Sequence, residues 1–342
     1  MRFSPLLFAT AARAAILWDG RFNEMSSSSD LNTWSWSNQV GPYQYYIHGS
    51  GTVNKYINLS PDYKNPADGG SKQGAKFTLD STAFWNGQTM RRTELIPQTK
   101  AAIASGKVWY HFSIKRSGTN APSIYREHQI CFFESHFTEL KSGWISGASG
   151  NSDTRLQWFV GGKSQWSVEW APDVWHNVAY EIDFSANKVS FHHSTGADPL
   201  KLTAGPVSAS TSSNGADWHL GVLELPVSGR SDSNEDFYFS GTYIESGSLT
   251  TSVAGPGGVV ANPGSSTLVT STTKVASSTT KVVSSTSKVT TPTAEPEPQP
   301  EPEPVGTLQK WSQCGGQGWT GSGYCVEGTK CVASGDFYSQ CL

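Results

Sequence analysis

The chain of 342 residues has little charge. Asp, Glu, Lys and Arg make up 15% of it, against roughly a quarter in ordinary soluble domains. Neither sign is in excess, with 25 Lys and Arg against 28 Asp and Glu, a net charge of −3. A nucleic-acid partner needs a basic face, so none is expected. No apolar run reaches the roughly 18 residues of a spanning helix, so no membrane partner is expected either. Leucine is sparse and there are three methionines, a makeup that argues against a chiefly helical protein. No P-loop, dinucleotide fingerprint or G-x-S-x-G motif occurs, and no cofactor is expected. Trp175-His176 and His192-His193 lack a third ligand at metal-site spacing; they read as structural, and no metal is expected.

What is abundant is Ser, Thr, Gly and Trp, with 13 Trp residues. Flat indole rings pack well in cores and also stack on sugar C–H faces. The start, Met1-Arg2 followed by small and apolar residues to Ala12, has the form of a secretory leader over residues 1–14, cut before Ala15. Four of the five cysteines crowd into residues 314–341, an even set in a small region, which fits secretion. Asn58-Leu59-Ser60 has the N-glycan acceptor pattern, weakened by the following Pro61.

The composition changes near residue 250. From Thr251 to Gly306 there is no aromatic residue. Lys274-Val275, Lys281-Val282 and Lys288-Val289 recur every seven residues, but their Ser/Thr flanks cannot bury a coiled-coil seam. Alternating Glu and Pro from Glu295 onward impose an extended polyproline conformation. We read 251–306 as an O-glycosylated linker between a large domain, 15–250, and a small module, 307–342. The module is too short to hold a core without covalent staples.

In the module, Cys314, Cys325, Cys331 and Cys341 allow three pairings. With Gln313-Cys314-Gly315-Gly316 at one end and Tyr338-Ser339-Gln340-Cys341-Leu342 at the other, the segment resembles the family 1 carbohydrate-binding module of fungal cellulases over its full length. The resemblance implies disulfides Cys314–Cys331 and Cys325–Cys341. It also implies a flat face on which Trp311, Phe337 and Tyr338 stack on alternate glucose units of cellulose, with Gln340 adding a hydrogen bond. Trp319 shields the disulfides. Phe337 stands where the family usually has Tyr.

The large region reads as many short strands with period-two alternation, including Lys107–Ile114, Leu156–Val160, Gln165–Trp170, Val178–Phe184, Val189–His193, His219–Leu225 and Phe237–Ile244. Turn clusters such as Gly147–Asn151 separate them. No ten-residue amphipathic helix stands out. An all-β fold, a sandwich of jelly-roll type, is expected, with a sheet face that can cradle a polymer.

Two segments hold candidate acid–base residues. In Glu127–Phe137, strand alternation puts His128, Ile130, Phe132, Glu134 and His136 on one face and Gln129, Cys131, Phe133, Ser135 and Phe137 on the core side. A half-buried Glu134 between apolar neighbours is expected to have a raised pKa, as a general acid needs. In Met90–Pro97, Arg92 and Glu94 share a face, so Glu94 is expected to stay ionised, as a base needs. Two carboxylates in opposite environments are the minimum for glycoside hydrolysis, although each also fits a structural ion pair. Cys131 reads as a buried free thiol, and His219 as either a groove residue or a packed one.

With Trp85-Asn86-Gly87-Gln88-Thr89-Met90-Arg91-Arg92-Thr93-Glu94-Leu95, His128 with Phe133-Glu134, and Leu17-Trp18-Asp19-Gly20-Arg21 in view, the large domain resembles glycoside hydrolase family 131 over most of 16–248. The resemblance implies a β-jelly roll and a fungal, inverting β-glucanase of broad range (β-1,3, β-1,6 and β-1,4). It assigns Glu94 and Glu134 as catalytic carboxylates and His219 as a histidine beside them. Arg92, His128 and His136 are expected to position sugar. The expectation is a secreted monomer that hydrolyses β-glucan and is tethered to cellulose. Two alternatives remain: a polysaccharide lyase using Arg91, Arg92 and His219 on a uronate, and a non-catalytic cell-wall lectin.

Overall fold

The structure is a computed structural model. It describes residues 14–256 and, further on, 306–308, 313–315, 323–335 and 338–341. The expected leader, nearly all of the expected linker, and Trp311, Trp319 and Phe337 lie outside the described residues. The chain divides into two units, Met1–Ala261 and Asn262–Leu342.

The large unit is built from strands β1 (Ala15–Asp19), β2 (Tyr43–Ile47), β3 (Ile57–Ser60), β4 (Gly74–Leu79), β5 (Arg91–Pro97), β6 (Lys107–Arg116), β7 (His128–Phe133), β8 (Thr138–Ser142), β9 (Arg155–Val160), β10 (Lys163–Glu169), β11 (His176–Asp183), β12 (Lys188–Thr195), β13 (Lys201–Ser208), β14 (Trp218–Glu224) and β15 (Glu235–Ser246). Helix is confined to one four-residue turn, Val53–Tyr56, and three short 3₁₀ turns among the described residues. The strands form two antiparallel sheets. One has the order β13-β12-β11-β6-β15-β4-β3, with β1 added alongside β15; the other has the order β10-β9-β8-β7-β14-β5-β2. The chain passes between sheets repeatedly: β4 belongs to the first, β5 to the second, β6 to the first and β7 to the second. Strands β4 to β7 therefore alternate between the sheets, while β7 to β10 and β11 to β13 pair with their sequence neighbours, and the result is the expected all-β sandwich.

Alternation explains the core. Each strand of the second sheet turns one set of side chains toward the first, among them Leu95, Ile130, Leu140, Trp158, Leu220 and Val222. They meet Phe77, Tyr110, Phe112, Tyr180, Phe191 and Phe239, all buried. Trp218 sits edge-on to Trp18 and to Tyr110, with ring centroids 6.2 and 5.0 Å apart, the geometry that aromatic quadrupoles favour. Cys131 is free and buried, as expected. Asn58 is half-buried on β3, and its amide donates to Asn54 O.

The small unit contains strands β16 (Gly306–Leu308), β17 (Gln313–Gly315), β18 (Gly323–Cys325), β19 (Cys331–Gly335) and β20 (Tyr338–Cys341). A three-stranded sheet has the order β17-β20-β19. Disulfides join Cys314 to Cys331 and Cys325 to Cys341, the pairing implied by the resemblance. Cross-links of this kind compensate for the small core by restricting the unfolded chain. Tyr338 and Gln340 lie on β20; their side chains are outside the described residues.

Candidate active site

The outer face of the second sheet carries the residues singled out in β5. Arg91 points inward, donating to Leu79 O of the opposite sheet, and Thr93 does the same toward Thr78 O. Arg92 and Glu94 therefore project outward. Arg92 grips Glu94 with two bonds, Nε to Oε1 at 2.7 Å and Nη2 to Oε2 at 2.8 Å. Such a paired fork is the strongest ordinary salt-bridge geometry.

Next to β5 runs β14, which brings His219 to the same face. Its Nδ1 lies 2.5 Å from Glu94 Oε2. Gly221 makes this approach possible. Its φ is +147°, and a Cβ there would lie 2.2 Å from Thr93 O and 2.8 Å from Glu94 Cα, so no other residue fits. The pairing with β7 slips at the same place, between His219 and Val222, which is a bulge next to the site.

Glu134 reaches this group from the turn after β7, anchored by its N–H to Asp217 O at 3.0 Å. Its Oε1 is 3.0 Å from His219 Nε2, an ion-pair contact and not an aligned hydrogen bond. One imidazole thus touches both carboxylates, one through each nitrogen. Glu94 is sealed, with 0% of its side chain exposed, whereas 52% of the Glu134 side chain is open to solvent.

Burial by itself would raise the pKa of each carboxyl, but the cations outweigh it. Arg92 and His219 lower that of Glu94. His219, with help from Arg92 and His136, lowers that of Glu134 to about 2. Burial would neutralise His219; the two carboxylates instead raise it to about 9. At neutral pH the group is two anions around one imidazolium. This corrects the expectation of a raised carboxyl at Glu134. Its strand neighbours are apolar, but the groups that face it are cations.

The expected common face of His128, Ile130, Phe132, Glu134 and His136 also needs correction. Cys131 adopts φ +47°, and one residue in that conformation reverses the strand's alternation. Phe132 turns outward and lies flat between two imidazoles, 4.6 Å from His219 and 5.2 Å from His136. Ile130 turns into the core. His128, expected to position sugar, is instead fully buried, with Nε2 2.6 Å from Glu235 Oε2 and 3.2 Å from Glu224 Oε2. Arg91 binds both of those carboxylates and Arg126 binds Glu224. The His128, Glu224 and Glu235 donors lie within 4.8 Å of one another, but a divalent cation there would have to displace a guanidinium. His136 stays at the site. Its Nδ1 is 3.0 Å from Glu139 Oε2, a buried carboxylate that Lys141 also binds.

Comparison with known proteins decides the family. Residues 16–250 match the profile described as the glycoside hydrolase 131 catalytic N-terminal domain. The chain belongs to glycoside hydrolase family 131. Residues 310–338 match the fungal cellulose binding domain. A GH131 β-glucanase catalytic domain from Podospora anserina is 76% identical with a TM-score of 0.70, covering 70% of this chain and all of that one. The family 131 catalytic domain from Coprinopsis cinerea is 48% identical with a TM-score of 0.65, covering 69% of this chain and 97% of that one. A 32-residue stretch is 66% identical to a 1,4-beta-D-glucan cellobiohydrolase of Podospora anserina, spanning 9% of this chain and 7% of that protein. A 36-residue stretch is 61% identical to an AA9 family lytic polysaccharide monooxygenase of Botryotinia fuckeliana, 10% of this chain and 11% of that protein. The chain thus spans roughly a tenth of the length of these last relatives.

This family 131 glycoside hydrolase therefore couples a catalytic domain to a polysaccharide-binding module. Among the residues singled out in the sequence, the fold gathers Arg92, Glu94, Glu134, His136 and His219, and places His128 elsewhere. Glu139 was missed; it lies two residues before Lys141, and only their pairing on the outer face of β8 marks it. No helix among the described residues is long and apolar enough to cross a membrane.

Proposed function

We propose that this protein hydrolyses β-glucan at the Glu94–His219–Glu134 group, with broad linkage range across β-1,3, β-1,6 and β-1,4 bonds, and inverts the anomeric centre. The observation that carries this reading is the single imidazole held between one sealed and one open carboxylate. Glu134, ionised and open, is suited to take a proton from the attacking water. His219 is as sealed as Glu94 and is kept cationic by both carboxylates; it holds the proton for the departing glycosidic oxygen and passes it at the opening where Nε2 meets Glu134. Glu94 works through His219. Inversion is what the family resemblance implies, and it needs acid and base carboxyls about 6.5–9.5 Å apart, against roughly 5 Å for retention. Arg92 holds Glu94, and His136 positions sugar beside Glu134.

The residues 307–342 hold the enzyme on cellulose through Trp311, Phe337, Tyr338 and Gln340, and 251–306 form the tether. The leader at 1–14 and the disulfides fit a secreted, extracellular monomer, with Asn58 as glycan acceptor. The deciding experiment incubates the full chain with laminarin and barley β-glucan and follows the first anomer released by NMR. Reducing sugar of inverted configuration is expected. A retained first product would remove the inverting mechanism, unsaturated ends absorbing ultraviolet light would indicate a lyase, and no release at all would leave a lectin.

A further inference from the structure

Most large apolar side chains of the catalytic domain are buried, and Trp36 stands out with 69% exposure. One exposed apolar side chain is ordinary, but one that tops a patch of contacting rings marks a binding surface. Its placement is built, not incidental. Trp36 sits at the tip of a tight turn closed by Ser35 N to Asn38 O at 2.8 Å and Asn38 N to Ser35 O at 3.1 Å. Its ring centroid is 4.8 Å from that of Trp34 and 4.8 Å from that of Tyr46. Trp34 is itself pinned, with Nε1 donating to Gln98 Oε1 at 2.6 Å.

Tyr46 lies on the outward set of β2, whose inward residues Tyr43, Tyr45 and Ile47 are buried. Strand β2 pairs with β5, Ile47 standing opposite Glu94. The aromatic surface continues toward the site: Tyr46 is 6.0 Å from Trp85, and the Arg92 guanidinium is 5.7 Å from the Trp85 ring. Trp85 is also presented by a tight turn, Trp85–Gln88, with Asn86 and Gly87 at φ +50° and +75°, which Asn-Gly accommodates readily. A strip of rings therefore runs from Trp36 to the arginine that grips Glu94, along one sheet face.

We propose that Trp36, on its base of Trp34, Tyr46 and Trp85, is the stacking platform of a glucan subsite on the β2 side of Glu94. The ligand is a neutral β-linked glucopyranose unit of the polymer whose scissile bond lies at Glu134. The platform offers a flat apolar face, as a pyranose ring requires, and has no formal charge of its own to recruit an ionic partner. It shares the outward sheet face with the Glu94–His219–Glu134 group, so a chain lying across that face meets both. The inference rests on the glucan-hydrolase reading above.

The test uses full-length protein: wild type, Trp36→Ala, Trp36→Phe and Glu134→Gln. On soluble barley β-glucan, Trp36→Ala is expected to raise KM about tenfold, with kcat within about twofold. Trp36→Phe should restore most of the loss, and the penalty should shrink as the substrate is shortened. In affinity electrophoresis through soluble β-glucan, Glu134→Gln should be retarded like wild type, and the double variant Glu134→Gln/Trp36→Ala should run faster. Unchanged KM and mobility in Trp36→Ala, with wild type active, would overturn the platform and leave the hydrolase reading standing. A lower Tm and kcat at constant KM would assign Trp36 a structural role instead. Sedimentation showing a dimer that only Trp36→Ala abolishes would make the occupant a second copy of the chain. Inactive wild type on all glucans would overturn the hydrolase reading, and mobility alone would then still judge the platform.

Discussion

Two clusters of nearly the same makeup lie on opposite faces of one sheet. Outside are Arg92, Glu94, His219 and Glu134. Inside are Arg91, Glu224, His128 and Glu235, with Arg126 and Asp232 at the edge. Both draw on β5, β14 and the β7 segment, and in both a histidine sits against two carboxylates. They differ in wiring. His128 meets Glu224 and Glu235 through one nitrogen, Nε2, while His219 meets Glu94 through Nδ1 and Glu134 through Nε2. The first arrangement holds a charge; the second can pass a proton through the ring. They differ also in access, since Glu224 and Glu235 are sealed and Glu134 is open. Residue type alone therefore does not separate a structural ion cluster from a candidate catalytic one. The face of the strand does.

The sharpest way to break the comparison is to remove one charged group on each face. Glu134→Gln should lower kcat at least about a hundredfold, the scale of acid–base catalysis, with little change in melting temperature. Near-normal turnover would remove Glu134 from the chemistry. Inside, His128→Ala leaves Glu224 and Glu235 facing each other with one cation fewer. Breaking a buried cluster costs about 3–5 kcal/mol, so chemical denaturation should register a loss of that order. Turnover per folded molecule should stay near that of wild type. Gly221→Ala should lie between the two kinds of effect, since its Cβ would strike the β5 backbone at Glu94. Both stability and kcat should fall, whereas an unchanged enzyme would mean the bulge relaxes freely.

A pH series sharpens the contrast further. The pKa of His219 is raised to about 9, so the proton needed for leaving-group departure is lost as pH climbs through that value, and kcat/KM should fall there. The pKa of His128 is raised to about 10. A histidine raised on folding stabilises fully below its unfolded value of about 6.5 and loses that contribution as pH rises through the folded value. Activity should therefore fall as pH rises through about 9 before the folded state is lost, which circular dichroism and activity measured on the same samples can check. Glu94→Gln removes one anion from His219 and should move the alkaline limb of activity to lower pH. The smallest effect is expected from deleting residues 307–342: binding to insoluble cellulose should fall while hydrolysis of soluble glucan stays within about twofold, since truncation leaves the sandwich and its core intact.

Much of this was legible in the chain itself. Period-two alternation located the strands, and the Cys pattern and flanking motifs marked the small module. The pairing of Arg92 with Glu94 followed from their spacing of two in a strand. Other features were not legible. A single left-handed residue, Cys131, turned His128 and Ile130 inward and Phe132 outward, and nothing in a run of apolar and aromatic residues announces such a bulge. The cations facing Glu134 come from β5 and β14, far away in sequence, so reading its apolar neighbours led to the wrong direction of shift. Glu139 and Trp36 were overlooked for a different reason: their partners, His136 and Lys141 for the first and Trp34 and Tyr46 for the second, are near in sequence, but only the fold decides which of them share a face.

What the amino-acid order alone settled is local: which segments alternate, where the cross-linked module begins, and which arginine can reach which glutamate two residues away. These depend on geometry within a few residues, and backbone stereochemistry enforces them everywhere. What tertiary structure decided is the assignment of each charge to a face and a neighbour. Burial raises the cost of an unpaired charge, and only the assembled sheets determine which cation offsets that cost. That is why one histidine became the brace of the core and the other the bridge between two carboxylates on the outer face of the sheet.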